Sequence, residues 1–158
     1  MGNSAVLHAG EVQRMSAGSG IVHSEINQTG EPCRLLQIWI EPAQRGIEPA
    51  YEQKPFAIGE GWTPLIEPGA SGETMAIERP VHLWRAQPQP QQHLPLPSTE
   101  ERWLWVQAID GEMKLHREGA PEQLLQRGDG LGLIQDGSTQ GELVGLNGGA
   151  DVLLFALE

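Results

Sequence analysis

The feature that most constrains the fold is the repeated interruption of short apolar runs by glycine and proline. The 158 residues include 20 glycines and 12 prolines spread along the chain, with no convincing amphipathic helix between them. Short apolar runs bounded by turn residues are typical of β-sandwiches and β-barrels. The sequence therefore predicts an all-β protein.

Individual strands follow from the same pattern. Residues 35–40 (LLQIWI) are apolar, aromatic and β-branched and are stopped by Glu41 and Pro42, which predicts a buried strand. The dipeptide Asp110-Gly111 between apolar runs predicts a tight hairpin turn within residues 102–115. Further strands are predicted at residues 74–77, 81–84, 131–134 and 151–157, and irregular connections or loops at 46–56, 59–72 and 87–97.

Charge and composition exclude several classes of partner. The formal net charge of −11 disfavours nucleic acid and anionic membrane surfaces, both of which need a basic protein surface. No apolar run approaches the ~20 residues of a membrane span, and no signal peptide is visible. The single cysteine, Cys33, cannot form an intramolecular disulfide, which fits a reducing compartment. We expect a cytoplasmic protein.

The motif with the clearest chemical meaning is His23-Ser24-Glu25, close to the N-terminus. If this run is an extended strand, His23 and Glu25 point to the same side, because alternate residues of a strand share a face. Imidazole and carboxylate are both ligands of transition metals. The alternative is that both are ordinary polar residues at the end of a strand, since little chain precedes them to supply further ligands.

The motif lies within a longer pattern that resembles the pirin family, the two-barrel members of the cupin superfamily. The matching segments are AGEVQ (residues 9–13), MSAGSGIVHSE (15–25), QIWIEP (37–42), GIEP (46–49) and YEQ (51–53). Two further segments, ASG (70–72) and DVLLF (151–155), resemble the short bacterial branch, whose members act as quercetin 2,3-dioxygenases. The resemblance covers essentially the whole chain.

The resemblance implies a cupin-like, jelly-roll architecture. We expect a partial N-terminal barrel at residues 1–58, which carries His23 and Glu25, and one complete C-terminal barrel at residues 59–158. Pirins usually begin with a longer front segment that supplies two metal ligands from a His-Pro-His motif. Residues 1–3 (MGN) resemble an internal Met-Gly-Asn segment of such proteins, so the resemblance implies that the front of the first barrel is missing here.

The resemblance also implies a cofactor and a reaction. His23 and Glu25 match two of the four family ligands of a divalent transition metal such as iron, copper, nickel or manganese. The reaction would be oxygenolytic cleavage of a flavonol, with a flavonoid-like small molecule as the substrate and Glu25 as the general base. Residues 51–56 either line the pocket or pack as a loop. With half of the ligands missing, we expect no activity from the chain alone.

The second barrel is expected to hold no metal. A metal-binding cupin would place a His-x-His near residues 97–99, where this chain has Pro-Ser-Thr. A weak internal repeat relates residues 10–23 to residues 128–140. In this repeat the position equivalent to His23 is Gln140, a poor metal ligand. The remaining histidines, which we do not expect to be ligands, are His8, His82, His93 and His116.

Three functional hypotheses remain at this point. The chain is a metal-dependent dioxygenase completed by another chain or at a subunit interface, a non-catalytic regulatory protein that binds a protein partner, or a truncated gene product. A partial barrel would expose strand edges and apolar side chains around Trp39, and such edges pair with other chains. We therefore expect a homodimer or a higher oligomer.

Overall fold

The computed structural model describes residues 2, 4–69, 72–135 and 141–158. These residues contain nine β-strands and no helix, which confirms the all-β prediction, and so no helix that could span a membrane. The strands are β1 (Glu11–Ser16), β2 (Ala50–Pro55), β3 (Thr63–Ile66), β4 (Val81–Ala86), β5 (His93–Pro95), β6 (Trp103–Arg117), β7 (Gln123–Gln126), β8 (Gly130–Ile134) and β9 (Gly141–Leu157).

The strands form two antiparallel sheets. Strands β1 and β2 form a separate two-stranded sheet in which Gln13 lies opposite Gln53. The larger sheet runs in the order β3-β4-β9-β6-β7, with β5 paired to β9 and β8 paired to β6. The partners of the long strands change along their length, so that one half of the β6–β9 pair lies beside β4 and β8 and the other half beside β5 and β7. This arrangement is the cupin-like barrel expected for the C-terminal part.

The predicted hairpin turn at Asp110-Gly111 is wrong. Strand β6 continues through both residues and pairs with β9 from Trp103 to Arg117, with register shifts between Ala108 and Asp110 and between Gly111 and Met113. Gly111 has a φ of 72°, a conformation that glycine adopts without strain. The dipeptide therefore forms a β-bulge that bends one long strand, instead of a turn between two short ones.

Two apolar clusters cover the two faces of the large sheet. The barrel interior is filled by aliphatic side chains, among them Val106, Met113, Leu143 and Leu154, all fully buried. The second cluster lies on the opposite face of β4 and β9, where Leu83, Leu153 and Phe155 contact the β3 region and Val12 of β1. One face of the two-stranded sheet thus packs against the barrel, and the opposite face is available to the candidate functional site.

Several other strand predictions have clear outcomes. Strands β4, β8 and β9 confirm the predictions at residues 81–84, 131–134 and 151–157. Residues 74–77 form only an isolated bridge, between Met75 and Ile66, and residues 46–56 and 87–97 contain the strands β2 and β5. The described residues do not include 1, 3, 70–71 and 136–140. Outside them therefore lie the MGN start, part of the ASG segment, Gln140 and half of the proposed repeat.

The predicted buried strand at residues 35–40 is also wrong. These residues have no regular secondary structure, and the apolar side chains of residues 35–39 are exposed, with Trp39 at 87 % and Leu35 at 57 % of full exposure. A strand needs a neighbour to accept its backbone hydrogen bonds, and no strand in the described parts of the chain lies beside this segment. The expected exposure around Trp39 is confirmed.

Candidate functional site

His23 and Glu25 lie in a segment that leaves the two-stranded sheet. Strand β1 ends at Ser16, and a turn follows in which Gly20 donates a backbone hydrogen bond to Ala17. The residues from 20 to 28 have no regular secondary structure, so the expected extended strand is absent. Both side chains are exposed. Their Cα atoms are nevertheless at most about 7 Å apart, because two residues of chain cannot span more.

Glu25 is held in place by a residue of β1. The side-chain amide of Gln13 donates a hydrogen bond to Oε1 of Glu25 at 2.6 Å. This hydrogen bond connects the irregular segment to the β1–β2 sheet. Because one carboxylate oxygen is fixed by a donor, the other oxygen is free to accept a proton or to bind a cation. The sequence motif points to Glu25, whereas the contact from Gln13 is visible only in the structure.

A chain of polar side chains continues across the same face of the sheet. The hydroxyl of Tyr51 donates to Oε1 of Gln53 at 2.6 Å, and the amide of Gln53 donates to Oε2 of Glu11 at 2.8 Å. Glu11 also accepts the backbone N–H of His8, and this bond lowers the pKa of Glu11 below its usual value. Alternate residues of β1 and β2 share this face, so its polar pattern is visible in the sequence once the strands are known.

The donor set fits a transition-metal site only in part. The imidazole of His23 and the carboxylate of Glu25 are suitable ligands for zinc, copper, iron or nickel. Protein metal sites generally use three or more protein ligands. Within the described residues, no group of three or more histidine, cysteine, aspartate or glutamate side chains is arranged to hold a metal. His23 and Glu25 are therefore the two candidate donors that the described residues offer here.

The other histidines have different surroundings. Nε2 of His82 lies 3.2 Å from Glu101, and the ring of His82 stacks on Trp84. Nδ1 of His93 lies 3.1 Å from Glu142. Each of these two histidines thus faces a single carboxylate. That the C-terminal barrel holds no metal stays a prediction.

A second exposed feature lies further along the chain. The apolar side chains of residues 35–39 project into solvent, as do Val22 and Ile26, which flank the His23-Ser24-Glu25 motif. The segment is attached to the barrel by an exposed ion pair of 2.8 Å between Arg34 and Asp110. Contiguous exposed apolar side chains of this kind distinguish the segment from an ordinary protein surface.

Comparison with known families assigns the chain to a class. The Pirin family profile matches residues 1–40, and the profile of the quercetinase C-terminal cupin domain matches residues 65–157, which is more than half of the chain. The first match contains the His-x-Glu motif, and the second covers the barrel. The protein is a cupin, and the chain belongs to the pirin family.

Its relatives have longer chains. A Pasteurella multocida protein, named as a candidate quercetin 2,3-dioxygenase, is 39 % identical over 160 residues, which cover 99 % of this chain and 65 % of the relative. Quercetin 2,3-dioxygenase of Escherichia coli K12 is 32 % identical over 158 residues, with 99 % and 65 % of the two chains covered. The chain thus spans about 65 % of the length of the curated relatives it matches.

Solved structures agree with this assignment. The crystal structure of YhhW from Escherichia coli is 26 % identical, with a TM-score of 0.76, and the match covers all of this chain and 64 % of that one. A second structure of that bacterial pirin, in complex with nickel(II), is 30 % identical with a TM-score of 0.77, covering 94 % of this chain and 62 % of the other. The fold prediction is therefore confirmed.

Proposed function

We propose that this chain is a pirin-like cupin that contributes His23 and Glu25 as ligands to a divalent transition metal, in a site for a flavonol-like substrate. The observation that carries the proposal is the hydrogen bond from Gln13, which fixes the Glu25 carboxylate two residues along the chain from the exposed His23. The nickel(II) in a related pirin and the names of the dioxygenase relatives support the choice of cofactor and substrate class.

Glu25 is proposed as the general base. A base must reach the proton that it removes, and its free carboxylate oxygen must be accessible to the substrate. The Gln13 amide occupies Oε1, which leaves Oε2 to accept the proton of an acidic hydroxyl group such as that of a flavonol. The bound metal would supply the redox chemistry with oxygen. Two donors are fewer than the three protein ligands that catalytic metal sites generally use, so we propose that the chain alone binds the metal weakly and is inactive.

Metal binding tests this proposal without depending on turnover. The protein is dialysed against nickel(II) at low micromolar concentration, and the retained metal is measured by mass spectrometry. We expect His23→Ala and Glu25→Gln to lose the retained nickel and His116→Ala, an exposed histidine of the barrel, to keep it. If His23→Ala and His116→Ala retain equal amounts, the proposed ligands are wrong.

A turnover assay tests the activity. Quercetin consumption is followed by its absorbance after loading with nickel, iron, copper or manganese. We expect no turnover by the chain alone, and turnover once the remaining ligands are supplied by another polypeptide. Full activity of the isolated chain would refute the proposed incompleteness of its site.

The exposed apolar run at residues 35–39 favours a second function, binding of a protein partner without catalysis. Trp39 is the natural anchor, because exposed tryptophans are enriched among the residues that dominate binding interfaces. A Trp39→Ser variant should lose a specific partner while it keeps nickel binding. The free thiol of Cys33 supports placing either function in a reducing compartment such as the cytoplasm.

A further inference from the structure

A recess opens at one end of the C-terminal barrel, where β6 ends and β7 begins. Its volume is about 210 Å³, and it is partly open to solvent. The buried side chains of Leu115 and Leu133 line it from the barrel core. The apolar lining consists of Leu115, Ala120, Pro121, Leu131 and Leu133, and the polar lining residues are Arg117 and Gln123. The recess shares no residue with the site of the proposed function.

Arg117 places a cation at the rim of this recess. It is the last residue of β6 and lies on the same face of the strand as Leu115, because alternate residues of a strand share a face. Nη2 of Arg117 donates a hydrogen bond of 3.1 Å to the backbone oxygen of Ile134, the last residue of β8. This contact draws the side chain across from β6 to β8 and fixes the guanidinium beside the apolar lining.

Gly141 provides the space that the Arg117 side chain occupies. A Cβ at position 141 would lie 3.2 Å from Cγ of Arg117 and 2.9 Å from Cδ1 of Leu96. Both distances are tighter than ordinary van der Waals contact, so any larger residue would push the arginine stem away. The φ of Gly141 is not positive, so the backbone conformation does not require glycine here. What glycine provides at this position is room for Arg117.

Most hydrogen-bond donors of Arg117 are available to a ligand. A guanidinium carries five N–H groups, and the contact with Ile134 uses one of them. Arg14, Arg34 and Arg85 each form an ion pair with a carboxylate, whereas none of the ion pairs within the described residues includes Arg117. In a chain with a net charge of −11, this is a cation whose acidic partner has to come from elsewhere.

We propose that the recess binds a small monocarboxylic acid with a compact apolar body, whose carboxylate accepts hydrogen bonds from Arg117. Arginine binds carboxylates through two parallel N–H···O bonds, which fix the orientation of the acid. The apolar body then contacts the leucines of the lining and is removed from water. An apolar cavity of about 150 Å³ accommodates benzene. The 210 Å³ recess therefore has room for one six-membered ring together with its carboxylate.

The same lining disfavours other anions. Phosphate and sulfate carry two charges at neutral pH, and one guanidinium against apolar side chains does not replace the water that such ions lose. A neutral ring of the same shape would fill the recess but leave the guanidinium without an anion. Recognition therefore depends on a single negative charge and an apolar body in the same molecule.

The test is a titration of the full chain with benzoate, followed through the methyl resonances of labelled leucines. We expect benzoate to shift the resonances of Leu115, Leu131 and Leu133 and to saturate at low millimolar concentration or below. Benzamide, a neutral molecule of nearly the same shape, and inorganic phosphate should bind at least about 10-fold more weakly, because neither makes a charge-assisted pair with Arg117 inside an apolar recess.

Matched variants assign the binding to Arg117. Arg117→Gln should weaken benzoate binding by about 10-fold or more, since it removes the charge-assisted hydrogen bonds. Arg117→Lys should fall between the two, because lysine keeps the charge but lacks the planar fork of donors. Arg127→Gln is the control: Arg127 is exposed in the connection between β7 and β8, does not line the recess, and changes the net charge by the same amount.

A variant at the opening tests the position of the ligand without removing the arginine. Ala120 is exposed in the turn after β6 and lines the recess. Ala120→Phe should fill the opening and abolish benzoate binding. Circular dichroism of every variant shows whether a loss of binding reflects an unfolded chain, and the exposed position of Ala120 keeps this variant informative if Arg117→Gln does not fold.

Three results would overturn the proposal. If benzoate at low millimolar concentration shifts none of the recess leucines, the recess is not a site for such acids. Equal affinities for benzoate and benzamide would show that the charge is not recognised. Equal losses in Arg117→Gln and Arg127→Gln would show that only the net charge of the chain matters.

Discussion

Substitution of Gly111 by alanine tests how the barrel is bent. Gly111 lies at the bulge of β6 with a φ of 72°, where a side chain costs about 1–2 kcal/mol. A Cβ at this position would also lie against the carbonyl oxygen of Gly149 and 2.8 Å from Cα of Ala150, both in β9. These are backbone atoms of a paired strand and cannot move aside alone, so overpacking adds about 1–3 kcal/mol.

The expected total is a loss of about 2–5 kcal/mol, a large share of the roughly 5–15 kcal/mol that stabilises a typical domain. Thermal unfolding followed by circular dichroism should show a Tm lowered by about 4–20 °C, since 1 kcal/mol corresponds to about 2–4 °C in a chain of this size.

Gly119 provides a matched control. It has a similar φ of 75°, but an added Cβ would meet no atom within 4 Å. Gly119→Ala should therefore cost only the backbone strain, about 1–2 kcal/mol, and lower the Tm by about 2–8 °C. Equal losses for the two variants would show that the close approach of β6 and β9 has no energetic consequence, and the argument for the bulge would fail.

Two further predictions concern charged groups. Arg85 binds Asp151 through two hydrogen bonds of 2.9 and 2.6 Å in a half-buried position, so Asp151→Asn should lower the free energy of unfolding in urea by about 2–3 kcal/mol. Arg34→Ala, which breaks an exposed pair, should lower it by less than about 1 kcal/mol. Similar losses for the two variants would contradict this. The hydrogen bond from Lys54 lowers the pKa of Glu52, so this stabilisation is present above the usual value of 4.5 and is lost as the pH falls through the lowered pKa. Glu52→Gln should therefore reduce the loss of stability as the pH falls below about 4.5, and an unchanged acid limb in urea titrations would refute that assignment.

Much of the fold can be predicted from local patterns, because strand length and turn residues are local properties. The runs at residues 81–84 and 151–157 were sufficient to predict β4 and the end of β9. The bulge at Gly111 could not be predicted, since Asp-Gly suits both a turn and a bulge. What decides between them is pairing with β9, some 40 residues away in the chain.

The candidate site could also be predicted only in part from the sequence, because some of its contacts join distant parts of the chain. The family motif predicts His23 and Glu25 as a donor pair. It does not show that Gln13 holds the carboxylate, because that contact depends on how the chain turns after β1. The apolar run at residues 35–40 has the composition of a buried strand, yet its side chains up to Trp39 are exposed. A segment of this composition forms a buried strand only where a partner strand is present.

X-ray absorption at the metal edge of the nickel-loaded protein tests the central claim most directly. The account predicts scattering from imidazole and carboxylate ligands at about 2.0–2.2 Å, with the imidazole contribution lost in His23→Ala and retained in His116→Ala. A nickel spectrum that is the same in His23→Ala as in the unmodified chain would place the metal elsewhere and contradict the account.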